Sequence, residues 1–193
     1  MSILLALLGF LLQTLAPAPA LHPAYGNPVV LIETSAGTIT AELYKDRAPV
    51  SAENFLEYMR AHHYDGTIWH RVVAGYVIQG GGYTAEMVEK GTRPPIQNEA
   101  TTGLSNRRGT LAMARTRQAR SATSQFYINV SNNDSLDHRG FSPDDFGYAV
   151  FGRVLQGMDV VDKIAAVKTM TTREGMENVP VTPALIISIR EKQ

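Results

Sequence analysis

The run Trp69-His70-Arg71-Val72-Val73-Ala74-Gly75-Tyr76-Val77-Ile78-Gln79-Gly80-Gly81-Gly82 decides the fold of this 193-residue chain. Two short segments rich in Val, Ile and aromatic residues flank an Ala-Gly break, and three glycines close the second. β-Branched and aromatic side chains suit a pleated surface, while glycine adopts turn conformations that other residues resist. The pattern predicts strand, tight turn, strand, then a loop needing unusual backbone angles. Side chains alternate across a strand, so Val77 and Gln79 fall on one face of the second segment. A cation, Arg71, and an amide, Gln79, set among apolar neighbours point to a site rather than to a core.

Outward from this hairpin, β-rich runs and turn signals continue in both directions. Val29–Thr34 and Thr38–Tyr44 flank Ser35-Ala36-Gly37, which predicts a hairpin with a short loop. Pro49 opens a helical segment to about Ala61, where Ala52, Phe55, Leu56 and Met59 form one apolar stripe. Further strands are predicted over Thr67–Val73, Tyr76–Gln79, Gly109–Ala114, Gln125–Val130, Gly147–Leu155 and Ala184–Arg190. A second helix is predicted over Met158–Val167 with Val160, Val161 and Ile164 inward, Asp159 near its start and Lys168 at its end. Many strands, two helices and no alternation of strand with helix argue for a mainly β fold, an antiparallel sheet closed on itself.

Composition narrows the function classes. The length suits one domain, and 44% hydrophobic with 19% charged residues is a globular balance. Net charge is zero, so nothing global favours nucleic acid or an anionic membrane. Without cysteine there is no disulfide, thiol nucleophile or zinc-thiolate site. The five histidines, His22, His62, His63, His70 and His138, lack metal-ligand spacing, and no G-x-S-x-G supports a hydrolase. Gly80-Gly81-Gly82 is followed by neither G-K-[ST] nor a helix start, so it reads as a turn rather than a phosphate cradle.

Residues 1–20 combine an apolar run, Ile3 to Leu12, with small residues ending Ala18-Pro19-Ala20. This is the form of a secretory signal cut after Ala20, with only the α-amino group as its positive charge. The run is shorter than the roughly 20 residues a spanning helix needs. The expected organisation is a signal over 1–20, a Pro- and Gly-containing linker over 21–28 and one domain over 29–193. Export into the periplasm, with no stable membrane insertion after cleavage, follows as the expectation.

Three segments then carry a family resemblance. They are the opening run; Gly109-Thr110-Leu111-Ala112-Met113-Ala114 with Ser124-Gln125-Phe126-Tyr127-Ile128; and Leu136-Asp137 with Phe146-Gly147-Tyr148-Ala149-Val150-Phe151-Gly152. In this order and spacing they resemble the cyclophilin-type peptidyl-prolyl isomerases, bacterial periplasmic members above all, from about Val29 to Ile189. The resemblance implies an eight-stranded antiparallel barrel capped by two helices, with a substrate groove on its outer surface. It implies that Arg71 is the catalytic arginine and that Tyr76, Val77, Tyr127 and Leu136 receive the proline ring. Gln79 and Gln125 match polar groups that hold the substrate backbone or Arg71, and Ala114 and Arg115 match a segment whose backbone pairs with the peptide. Tyr148 stands where many members have histidine and bacterial ones commonly tyrosine.

The implied partners are proline-containing peptides and unfolded or newly exported proteins, engaged by a monomer without cofactor or metal and without nucleic acid. A non-catalytic proline-binding or chaperone module on the same scaffold is the alternative, since fold does not set function. Arg107, Arg108, Arg115, Arg117 and Arg120 cluster without an intervening acid. They read either as a solvated loop balanced elsewhere or as a positive rim that favours acidic residues beside the substrate proline. Ser135 precedes Leu136-Asp137 where other members carry tryptophan or phenylalanine, and that tryptophan is associated with cyclosporin binding in the family. Cyclosporin is therefore expected to inhibit only weakly; submicromolar inhibition in an isomerisation assay would contradict this.

Overall fold

The computed structural model describes residues 26–192. The expected signal over 1–20 and most of the linker lie outside the described residues. The linker's last residues belong to the fold: Asn27 Nδ2 donates to Glu42 Oε1 at 3.1 Å, and the Pro28 carbonyl accepts from Leu43 N at 2.9 Å.

Strands β1 (Val29–Thr34) and β2 (Gly37–Leu43) form the expected hairpin, with Thr34 opposite Gly37 and Ser35-Ala36 as the loop. Thr34 Oγ1 closes that loop, accepting from Ala36 N and donating to the Gly37 carbonyl. The segment expected as one strand over Thr67–Val73 is instead two, β3 (Thr67–Ile68) and β4 (Arg71–Val73). Then follow β5 (Val77–Gly80), β6 (Thr110–Met113), β7 (Phe126–Asn129), β8 (Val150–Gln156), β9 (Thr169–Met170), β10 (Val179–Pro180) and β11 (Leu185–Glu191).

One antiparallel sheet runs β3-β11-β1-β2-β8-β6-β7-β5-β4. Its two edges are consecutive pieces of one chain segment, because β3 pairs with β11 and β4 pairs with β5. Where the segment changes neighbours the ladder breaks, and Trp69 N donates to the Ala184 carbonyl at 2.9 Å. Among the described residues this sheet thus has nine strands rather than eight, and it curls into a half-barrel with no ladder joining β3 to β4. The short β9–β10 pair lies apart, too brief to leave a periodic signal in the sequence. The Asn178 carbonyl beside it accepts from Val72 N at 2.8 Å, satisfying a donor on edge strand β4.

Two helices cover the curled sheet. Helix α1 (Pro49–Arg60) starts with proline, whose missing N–H costs nothing in a first turn, and buries Ala52, Phe55, Leu56 and Met59 as the stripe predicts. Ala48 offers its N-terminus no side-chain cap; the Glu99 carboxylate accepts from Val50 N, Ser51 N and Ser51 Oγ at 3.1, 2.8 and 2.7 Å. A remote anion thus satisfies orphan donors at the positive end of the helix. Phe55 then meets Tyr64, Phe126 and Phe151 at ring distances of 5.0, 5.1 and 5.3 Å. Helix α2 (Met158–Ala165) buries Val160, Val161 and Ile164 and ends before Lys168, so Lys163 is its last-turn cation and pairs with Asp159.

Candidate active site

Strands β5, β6 and β7 present different chemistry on their two faces. Ile78, Leu111, Met113, Phe126 and Ile128 enter the main core. Their neighbours Val77, Ala112 and Tyr127 point the other way and join Val150 in a second apolar cluster, with Tyr76, Ala114, Leu136 and Tyr148 packed against it. The period of two creates both clusters from the same strands.

Over the second cluster lies a cavity of about 270 Å³ lined by Arg71, Tyr76, Val77, Gln79, Ala114, Arg115, Tyr127, Leu136 and Tyr148. The structure therefore brings together all the sequence-derived candidates except Gln125, which adjoins Gln79 in a neighbouring depression. A space this small suits an amino-acid side chain better than a cofactor. Among the described residues no cluster of His, Cys, Asp or Glu is placed to hold a metal ion.

Arg71 and Gln79 stand directly opposite each other in the β4–β5 ladder, and Gln79 is opposite Tyr127 in the next. The Gln79 side chain does not bond Arg71; its Nε2 donates to Gln125 Oε1 at 3.0 Å. Among the described residues the half-buried Arg71 guanidinium forms neither ion pair nor hydrogen bond. It is a donor fork held beside an apolar pocket with its hydrogens uncommitted.

The pocket walls, by contrast, are tied down. Tyr127 is almost fully buried, and its hydroxyl donates to Asn106 Oδ1 at 2.7 Å. Asn106 is held in turn by Asp137 Oδ1, which accepts from its backbone N and its Nδ2 at 2.7 and 2.9 Å. Burial pushes the Tyr127 phenol well above its ordinary value, with nearby Tyr148 adding to the effect, so the group stays neutral. Burial also raises the phenol of Tyr76. Tyr148 meets Tyr127 edge-on at 5.9 Å and carries the Arg115 guanidinium 4.5 Å above its ring.

Arg115 spends its side chain on the protein. Its Nε donates to the Gly147 carbonyl at 2.9 Å, its Nη1 to Thr116 and Arg117 at 3.0 and 3.2 Å, and its Nη2 to Pro143 at 3.1 Å. These bonds staple the chain after β6 to the 143–148 loop. Ala114 N is used by the Gln125 carbonyl at 3.0 Å. Among the described residues the Ala114 carbonyl and Arg115 N take no such partner, leaving an acceptor and a donor for an extended peptide.

Residues 29–190 match the family model of the cyclophilin type peptidyl-prolyl cis-trans isomerases. The chain is a cyclophilin. It is 54% identical over 170 residues to a peptidyl-prolyl cis-trans isomerase of Acinetobacter baylyi, covering 88% of each chain. Peptidyl-prolyl cis-trans isomerase B of Escherichia coli is 49% identical over 162 residues, 83% of this chain and 98% of that one. The crystal structure of a cyclophilin type peptidyl-prolyl cis-trans isomerase from Cryptosporidium parvum superposes with a TM-score of 0.71. That match covers 86% of this chain and 98% of the other at 23% identity, so it speaks to the fold.

Within this cyclophilin the arginine cluster is largely balanced. Arg107 pairs with Asp134 at 2.7 Å, Arg108 with Asp162 at 2.8 Å and Arg117 with Asp144 at 2.8 Å. Of the five, Arg115 lines the groove, and Arg115 and Arg117 line its continuation past Tyr148. The aspartates come from distant loops and from α2, which is why sequence proximity alone made the stretch look positive. Asn106, Asn129 and Asn133 are the residues that sequence reading missed. Asn129-Val130-Ser131 and Asn133-Asp134-Ser135 match the glycosylation sequon, yet Asn129 and Asn133 are buried and hydrogen-bonded, Asn129 Nδ2 to Thr110 Oγ1 at 2.9 Å and Asn133 Nδ2 to Asn129 Oδ1 at 2.7 Å. A glycan has no room there.

Replacing Arg115 with alanine should loosen the Tyr148 wall while leaving Arg71 in place. Steady-state kinetics on a short X-Pro peptide should show KM raised roughly tenfold, the equivalent of about 1.4 kcal/mol, with kcat within about twofold. An unchanged KM would mean that the wall keeps its shape without the staple.

Proposed function

We propose that this cyclophilin accelerates cis-trans isomerisation of X-Pro bonds, with Arg71 donating a hydrogen bond to the twisted prolyl nitrogen. The uncommitted Arg71 guanidinium beside an anchored apolar pocket is the observation that carries this reading. The names of its relatives, peptidyl-prolyl cis-trans isomerases, support it.

Rotation about an X-Pro bond has a barrier of roughly 20 kcal/mol because the twisted amide loses its resonance. Such a barrier gives about 0.01 turns per second, and five decades of acceleration require about 7 kcal/mol. No covalent bond is made or broken, so neither nucleophile nor metal is needed. As resonance fades, the proline nitrogen regains a lone pair that can accept a hydrogen bond. A permanently charged guanidinium bonds that lone pair only in the twisted state, which is differential binding of the transition state. The pocket formed by Val77, Tyr127 and Leu136 anchors the ring while the preceding carbonyl swings.

Removing the proposed donor tests the mechanism. Arg71→Ala should lower kcat/KM on a short Ala-Pro peptide by a hundredfold or more, about the effect of deleting one preorganised donor elsewhere. Equal rates for the variant and the parent would reject the arginine mechanism.

The proposed clients are newly exported proteins in the periplasm. The signal-like composition of residues 1–20 supports that reading. Among the described residues no helix is long and apolar enough to cross a membrane. Mass spectrometry of the protein recovered from a bacterial periplasm should give a chain beginning at Leu21; a chain retaining residues 1–20 and staying with the membrane would refute cleavage.

A further inference from the structure

We infer that Gly82 is a positioning residue of this site: the space left by its missing side chain lets Gln125 reach Gln79, the cross-strand partner of Arg71. This rests on the reading of Arg71 as the donor.

The three glycines that close β5 and follow it, Gly80 to Gly82, are bare for different reasons. A Cβ on Gly80 would lie 2.9 Å from the Ile68 carbonyl and 3.0 Å from the Trp69 ring. Gly81 has φ +84°, the only positive φ of the three, and a Cβ there would meet the Tyr64 ring at 2.9 Å. Core packing and backbone conformation account for these two. At Gly82 neither applies. The nearest atoms to its Cβ position all belong to the Gln125 side chain, Cγ at 2.6 Å and Cδ and Nε2 at 2.7 Å.

Those separations are below any a real Cβ tolerates, so an added methyl group displaces something. The backbone is pinned: the Gly82 carbonyl accepts from Lys90 N at 2.9 Å, and the Tyr83 carbonyl from Ile68 N at 3.0 Å. The Gln125 side chain is the movable party, and its Oε1 is the atom that holds Gln79 Nε2 at 3.0 Å. The Gln125 side chain also neighbours the His70 imidazole, which is buried and packed 4.6 Å from the Tyr83 ring. Burial pushes that imidazole down to about 4, an effect partly opposed by polar contact with the Gln125 side chain. The amide thus neighbours a ring that is neutral at neutral pH, and its own carbon and nitrogen atoms crowd the Cβ position of Gly82. Displaced by a methyl group, Gln125 releases Gln79, and the strand position facing Arg71 loses its anchor.

The experiment compares the parent chain with Gly82→Ala, Gln125→Ala and the double variant on a short Ala-Pro peptide. Gly82→Ala should lose about fivefold in kcat, as Gln125→Ala should, with KM little changed; one ordinary hydrogen bond is of that size. The double variant should be no slower than Gln125→Ala alone. Parental kcat in Gly82→Ala, or losses that multiply in the double variant, would overturn the proposal. Should Gly82→Ala melt early, Gln125→Ala in the same chain should restore the melting temperature, and failure to restore it counts against the proposal. The side-chain amide resonances of Gln79 give a readout independent of turnover. They should move in Gly82→Ala to where Gln125→Ala puts them, and unmoved resonances would refute the role of Gly82. A parent chain that does not isomerise proline at all would instead refute the function of Arg71, leaving the amide geometry to be judged on those resonances.

Discussion

Everything in the site depends on the register of three adjacent strands, β5, β7 and β6. Their side chains alternate between a core filled by Ile78, Ile128, Phe126 and Leu111 and an outer cluster of Val77, Tyr127 and Ala112. A slip of one residue would send Tyr127 into the core and Ile128 into solvent, so the large apolar area behind the sheet also enforces the geometry in front of it. Arg71 inherits its place from the same ladder, because β4 is registered on β5 with Arg71 opposite Gln79. Stability and site geometry are in this sense one constraint.

Around that framework, polar groups are fastened by partners far away in sequence. Glu99 caps α1 from 48 and 49 residues downstream, Asn106 holds the Tyr127 hydroxyl across 21, and Arg115 grips Gly147 across 32. Each bond satisfies a polar group that would be costly to bury alone, and each ties a loop to a segment distant in sequence. Loops without regular structure thereby become rigid walls. Against these committed groups, Arg71 forms no side-chain hydrogen bond or ion pair among the described residues, which suits the donor role proposed for it.

Most of the fold was legible because its signals are local. Runs rich in β-branched and aromatic residues between turn signals located β1, β2, β5, β6, β7, β8 and β11 to within a few residues, and the Pro49 start and apolar stripe located α1. Where a segment obeys two neighbours at once, local reading erred: Thr67–Val73 looks like one strand, but its halves pair with β11 and β5. The 169–170 and 179–180 pair left no pattern, since two residues have no period to detect. The triple glycine read as a turn needing unusual angles, yet only Gly81 has them.

The sequence by itself determined which residues share a face and which family the motifs resemble, because period and spacing are properties of neighbouring positions along the chain. Through that resemblance it pointed to the residues that line the pocket, with Gln125 lying just outside. Only the tertiary structure decided that Gln79 bonds Gln125 rather than Arg71, that the arginine cluster is balanced by aspartates, and that Gly82 makes room for an amide. Those are contacts between side chains brought together by the curl of the sheet. Hydrogen bonds and steric exclusion act over a few ångströms, and no distance along the sequence says which groups will come that close.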